Sequence, residues 1–277
     1  MDEIKNGIVI DHIKAGQGMD IYSFLGLDKL DCNIAIIKNA YSKKMGKKDK
    51  IITECLSKMN ELVNTLNEKQ KDVLSQAITV HQYKKNETVY HYGETPKHMF
   101  CLLSGKIKVY KEGIGGRNQI VRVAKPVEYL GYRAYFANGK FITAASTLEP
   151  SCVVKIPLTV IKELILENAE LGWFFIKTLC QELGRSDQRT VNLTQKHIRG
   201  RLAESLLYLK ERYGVEADGY TLSIYLSRED LANLSNMTTS NAIRTLSLFA
   251  ADKLVLVDGR KIKIIDEERL RQISRLG

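Results

Sequence analysis

The stretch Ser227–Phe249, SREDLANLSNMTTSNAIRTLSLF, decides how this chain is read. It predicts two short helices broken by a tight turn. Ser227 opens the first, with Asp230 three residues on to make a capping-box-like start. Leu231 and Leu234 fall on one face, and Ala232 is small enough to let another helix approach. Ser235-Asn236-Met237 makes the turn, since asparagine tolerates a left-handed backbone better than most side chains. Thr238 is placed to cap the second helix, which buries Ala242, Leu246 and Phe249 at helical spacing. Its other face carries Thr239, Ser240, Asn241 and Arg244, polar and outward-reaching as a helix lying in a DNA major groove requires.

Taken alone, such a pair is also a common helical hairpin inside a larger fold. The residues just beyond Phe249 narrow the reading. Lys253–Val257 and Lys261–Ile265 alternate as strands, joined at Asp258-Gly259, a two-residue hairpin signal. Arg260, Lys261 and Lys263 put positive charge on that hairpin. A helix-turn-helix running at once into a basic β-hairpin is a winged helix, and the expected partner is double-stranded DNA. Thr239, Ser240 and Arg244 are expected to read bases, with Asn241 beside them. Ser227, Arg228, Arg260, Lys261 and Lys263 are expected to contact phosphates.

Composition agrees with a polyanionic partner. The 277 residues carry a formal net charge of +10, with 44% hydrophobic and 27% charged residues, the balance of a soluble globular chain. That length suits about two domains. No apolar run is long enough to span a bilayer and no signal-peptide core opens the chain, so the expected compartment is the cytoplasm, with no membrane partner. Cys32, Cys55, Cys101, Cys152 and Cys180 are scattered, which fits reduced thiols rather than a disulfide framework. Neither they nor the five histidines show metal-ligand spacing, and no nucleophile triad, P-loop or dinucleotide fingerprint appears. Neither metal nor cofactor is expected, and nothing points to an enzyme.

Upstream, Tyr83–Pro157 changes to short alternating strands punctuated by Gly93, Gly105, Gly115-Gly116, Gly131 and Gly139. Lys106–Lys111 is a clean in–out strand, and Gln119–Val123 another. Strands at this spacing predict an antiparallel roll or barrel. Helix comes next over Leu158–Leu166 and from Leu171 to about Thr194, the latter with an apolar stripe of Trp173, Ile176, Cys180 and Leu183. That stripe packs either on its own domain or on a second subunit. Leu202, Leu206 and Leu209 then supply the core face of the next helix.

A β-roll, a long helix and a winged helix-turn-helix, in that order, resemble the catabolite-activator (Crp/Fnr) family of bacterial transcription regulators. The resemblance covers about residues 60–277 and rests on LLSGKIKVY at Leu102–Tyr110, GRLAESLLYL at Gly200–Leu209, and SREDLANLSNMTTSNAIRTL. It implies an α+β multidomain chain: a cyclic-nucleotide-binding-like jelly roll, a dimerisation helix and a DNA-binding domain. It also implies a homodimer on two-fold-related half-sites about one helical turn apart, with RNA polymerase as a further partner. Arg244 keeps the family's commonest base-reading residue, whereas Thr239 and Ser240 stand where an Arg-Glu pair is usual. The sensor departs further. Members that bind cyclic nucleotides open their phosphate cassette with Gly-Glu-Leu and close it with Arg-Ser or Arg-Thr. Here the opening reads Gly131-Tyr132-Arg133 and the close Phe141-Ile142-Thr143. Gly131, Tyr132, Arg133 and Thr143 are the expected effector pocket, with Arg133 an alternative cation, and cyclic AMP is not the expected effector.

The N-terminus comes from elsewhere. IKNGIVIDHIKAGQGMDIYSFLGL (Ile4–Leu27) and MGKKD (Met45–Asp49) resemble the start of the aspartate carbamoyltransferase regulatory chain. By that resemblance Asp11, His12 and Lys48 mark a vestigial nucleotide site. The second half of that α/β domain and its zinc cysteines are missing, so a truncated module is expected at 1–53. The remaining divisions are a helix plus roll at 54–165, with a bridging helix at Glu54–Leu66, a dimerisation helix at 166–197 and the winged helix at 198–277. The alternative function is a nucleotide-responsive regulatory subunit of a carbamoyltransferase. A further alternative is a roll that senses a ligand and acts on a protein partner.

Overall fold

The structure, a computed structural model, describes residues 47–276. The chain divides into two compact units, Met1–Ser57 and Lys58–Gly277. Asp11 and His12 lie outside the described residues, and of Lys48 only its helical backbone is described.

Three helices precede the roll: α1 (Lys47–Lys58), α2 (Asn60–Val63) and α3 (Glu68–Ala77). The single helix expected over Glu54–Leu66 is interrupted. Met59 leaves the helical region at ψ 28° while its side chain is fully buried. Asn67 starts α3 with a complete capping box, its side chain accepting from the Gln70 N–H while Gln70 accepts from the Asn67 N–H.

The roll is built from eight strands: β1 (Thr79–Tyr83), β2 (Thr88–Tyr90), β3 (His98–Ser104), β4 (Ile107–Glu112), β5 (Asn118–Ala124), β6 (Glu128–Leu130), β7 (Ala144–Thr147) and β8 (Ser151–Pro157). They form two four-stranded antiparallel sheets, ordered β1-β8-β3-β6 and β2-β7-β4-β5. Phe100, Leu102, Ile107, Val109, Ala145 and Val153 fill the space between the sheets, each 6% exposed or less. That burial is the hydrophobic term that holds the roll closed. The roll thus begins four residues before Tyr83, because Thr79–Tyr83 pairs along β8.

One short helix, α4 (Tyr132–Phe136), interrupts the roll after β6. Gly131 precedes it at φ 86°, and a Cβ there would stand 2.9 Å from the Phe100 ring, so only glycine fits. Beyond β8 come α5 (Leu158–Glu167) and the long α6 (Ala169–Gln195). Asn168 caps α6 and also donates to Thr65 O at 2.7 Å. Leu171 and Phe175 bury one face of α6, while Trp173 and Leu183, each 63% exposed, and Ile176 stand on another.

The C-terminal part comprises α7 (Ile198–Tyr213), α8 (Arg228–Leu234), α9 (Thr239–Ala251), β9 (Val255–Asp258), β10 (Lys261–Ile264) and α10 (Glu267–Leu276). Leu202, Leu206 and Leu209 of α7 are buried, as are Leu231, Leu246, Phe249 and Leu270. Helix α10 is not among the expected elements; its apolar signal is thin, with Leu270 alone fully buried. Ile120 and Val123 of β5 join this same C-terminal core. The roll and the C-terminal helices therefore share one apolar interface.

Candidate nucleic-acid interface and effector cleft

Ser227 caps α8, its hydroxyl accepting from the Asp230 N–H at 2.9 Å and donating to Asp230 Oδ2 at 2.7 Å. Asn236 takes φ 51° in the turn, the left-handed conformation its side chain tolerates. Thr238 caps α9 by accepting from the Asn241 N–H. With Ala242, Thr245, Leu246 and Phe249 buried, α9 presents Thr239, Ser240 and Arg244 to solvent. Asn241 is half-buried and accepts from Arg244 Nη2 at 3.0 Å, which steadies the arginine across one turn.

The wing differs from the expected register by one residue. Asp258 pairs with Lys261, so the two-residue loop is Gly259-Arg260 rather than Asp258-Gly259. Gly259 alone takes positive φ, 53°, which suits a turn with glycine first. Arg260 and Lys261 are exposed at that tip. Other expected phosphate ligands are already engaged: Arg228 Nη2 donates to Gly259 O at 2.6 Å and Lys263 pairs with Asp218 at 3.1 Å. Arg228 thereby fixes the wing tip against the start of α8.

The second feature is a cleft of about 1080 Å³ between the roll, α6 and the C-terminal domain. Gly131, Tyr132, Arg133 and Thr143 all line it. Tyr132 is 1% exposed, packed against Phe136 and Phe175, and its hydroxyl has no hydrogen-bond partner. Tyr90 stacks on Phe141 at 4.2 Å and its hydroxyl lies 3.4 Å from Thr143 Oγ1. Arg133 is exposed, and Ile142, where a phosphate-pairing arginine would stand in a cyclic-nucleotide cassette, is 63% exposed.

The cleft also holds a shielded ion pair that sequence reading passed over. Arg122 of β5 donates to Glu182 of α6 at 2.7 Å and to Tyr129 O at 3.1 Å, and Arg185 donates to Glu182 at 2.8 Å. Burial works against the Arg122 charge, but Glu182 and Glu128 more than offset it and hold the guanidinium above its ordinary value. Burial likewise pushes the Glu182 carboxyl up, and Arg122 together with Arg185 carries it below the ordinary value instead. The strand looks regular, yet a bulge pairs Val109 with Arg122 and Tyr110 with Ile120, skipping Val121. The bulge lets Ile120 and Val123 share the face toward the C-terminal core and turns Arg122 to the face of Ala124, inside the roll. An arginine amid an apolar strand was the available signal, and the bulge concealed its direction.

Residues 80–168 match the model of the cyclic nucleotide-binding domain, 200–273 that of the Crp-like helix-turn-helix domain, and 1–89 that of the aspartate carbamoyltransferase regulatory chain, allosteric domain. The chain is 24% identical over 194 residues to the CRP-like cAMP-activated global transcriptional regulator of Mycobacterium tuberculosis, covering 70% of this chain and 87% of that protein. The FixK2 structure from Bradyrhizobium japonicum superposes with a TM-score of 0.64 at 21% identity, over 71% of this chain and 96% of FixK2. At the N-terminus the chain is 56% identical over 54 residues to the aspartate carbamoyltransferase regulatory chain of Clostridium botulinum. That match covers 20% of this chain and 37% of the regulatory chain.

Proposed function

The chain belongs to the Crp/Fnr family of transcription regulators, and on that premise we propose that it acts as a homodimer that reads DNA through Thr239, Ser240 and Arg244. The observation that carries this reading is the N-terminal half of α9, where Thr239, Ser240 and Arg244 are exposed on a helix whose inner face is buried. Arg244, steadied by Asn241, supplies a bidentate donor for guanine. Arg260 and Lys261 hold phosphates from the wing, while Ser227 and Arg228 support them at the start of α8.

The exposed stripe of Trp173, Ile176 and Leu183 on α6 supports pairing with the same helix of a second copy, with Cys180 on the same stripe. The effector enters the cleft at Tyr132 and Thr143. Cyclic AMP activates the mycobacterial relative by its name, but an apolar Ile142 stands in place of a phosphate partner here. The protein works in the cytoplasm and meets RNA polymerase on DNA; among the described residues no helix is long and apolar enough to cross a membrane. Functionally we divide it as 1–53, 54–165, 166–197 and 198–277. Regulation of a carbamoyltransferase rests on the short N-terminal match alone.

The test is a gel-shift titration on sites mapped by genomic binding. Arg244→Ala should weaken binding by about 1–3 kcal/mol and relax preference at one base pair. Lys261→Ala should weaken all sequences alike and lower the salt slope by about 1. Unchanged affinity in both variants would refute the assignment.

A further inference from the structure

Strand β5 and helix α6 are joined by two polar links. One is Arg122 to Glu182, in the wall of the cleft, at 2.7 Å. The other is Arg189, which donates to Ile120 O of β5 at 2.7 Å and to Leu234 O at 2.9 Å. Glu182 and Arg189 are seven residues apart, two helical turns, and so lie on one face of α6. Beside the second link, Gln119 donates to Asn233 O at 2.7 Å. The carbonyls of Asn233 and Leu234 close α8, where helix geometry leaves acceptors unpaired. The sensor side thus caps the first helix of the DNA-reading pair.

The first link lies where a ligand would sit. Arg122 is a largely shielded cation in the cleft wall, alongside Arg212, and basic side chains outnumber acidic ones around the lining. Tyr132, 1% exposed, carries a hydroxyl with no partner in the same lining. A buried phenol left unsatisfied is destabilising, and an acceptor supplied from outside would relieve that cost. Tyr90, Phe136 and Phe141 give the cleft flat apolar walls. We propose that the cleft takes an aromatic carboxylate, whose anionic group replaces Glu182 on Arg122 and accepts a hydrogen bond from Tyr132.

The exchange strands no charge. Glu182 keeps Arg185 as a partner when it leaves Arg122, and the incoming carboxylate compensates the guanidinium. Breaking the link in the cleft leaves β5 and α6 joined through Arg189, so a shift between them moves the side chain that holds Leu234 O. Occupancy is thereby felt at the turn before the recognition helix. The inference rests on the reading that this cleft is the effector site.

Calorimetric titration of the full chain with benzoate tests both. Glu182→Gln should tighten benzoate binding and Arg122→Gln should weaken it, each by about tenfold or more, the order of one charge-assisted hydrogen bond. Circular dichroism and thermal unfolding verify that each variant is folded. Thr143→Trp, which crowds the cleft beside Tyr90 and Phe141, should weaken binding at least tenfold. Benzoate binding unchanged in both charge variants but weakened in Thr143→Trp would keep the cleft and overturn the exchange. Undiminished binding in Thr143→Trp would overturn the cleft as well. Absence of benzoate binding in wild type and Glu182→Gln overturns the carboxylate, and cyclic AMP binding that Thr143→Trp weakens would then show the cleft still to be the ligand site.

Discussion

Lys108 on β4 reaches Asp230 in the first turn of α8 at 2.6 Å, and both side chains are largely shielded from solvent. The same carboxylate accepts the Ser227 hydroxyl, so the cap of the DNA-reading helix pair is also its tether to the roll. An anion in the first turn further suits the helix dipole.

A double-mutant cycle measures that tether. Lys108→Ala and Asp230→Ala should each destabilise the chain, Asp230→Ala more because it also disturbs the cap. Their coupling energy in urea unfolding should be about 1–2 kcal/mol, the range of a shielded charge-assisted hydrogen bond. Strictly additive effects would mean that the pair contributes nothing.

Asn236 offers a backbone test. At φ 51° it sits where a Cβ is disfavoured, so Asn236→Gly should be neutral or mildly stabilising. Asn236→Val should cost about 1–2 kcal/mol, since a β-branched side chain is least able to adopt the left-handed region. Urea midpoints at one pH decide it, and a stable valine variant would contradict the turn geometry.

Ile176→Glu and Leu183→Glu place charge on the exposed stripe of α6 without disturbing its buried face. Each should leave the monomer folded and convert the proposed dimer to monomer in sedimentation velocity. A dimer that persists in the double variant would place its interface elsewhere.

Acid should loosen the cleft. The Glu182 carboxyl is held below its ordinary value of 4.5 in the folded chain, so its contribution to stability is fully present above that value. It is lost as pH falls through the lower folded value, because protonation there removes the charge that Arg122 and Arg185 pair. The gap in urea midpoint between wild type and Glu182→Gln should therefore be constant from neutral pH to about 5 and close at more acid pH. A gap that widens toward acid would contradict the sign.

Some of this was legible because it is local. The caps at Ser227 and Thr238, the left-handed Asn236 and the apolar spacing of Ala242, Leu246 and Phe249 act within a turn or two of chain. The alternation of β4 and the stripe on α6 are likewise periodic signals. The one-residue error in the wing came from a choice between two adjacent glycine-compatible loops, which strand pairing settles and composition does not. Helices α3 and α10 escaped because their apolar content is small, and strand β6 because three residues are too few to show a period.

The sequence by itself determined the order of parts, the exposed polar residues at the start of α9 and the departure from the cyclic-nucleotide cassette at Tyr132 and Ile142, since residue type and spacing carry that information. Tertiary structure alone decided that Arg122 turns into the roll, that Glu182 sixty residues later meets it, and that Gln119 and Arg189 close the carbonyl end of α8. Those pairings depend on a bulge and on the packing of distant elements, and neither leaves a periodic trace along the chain.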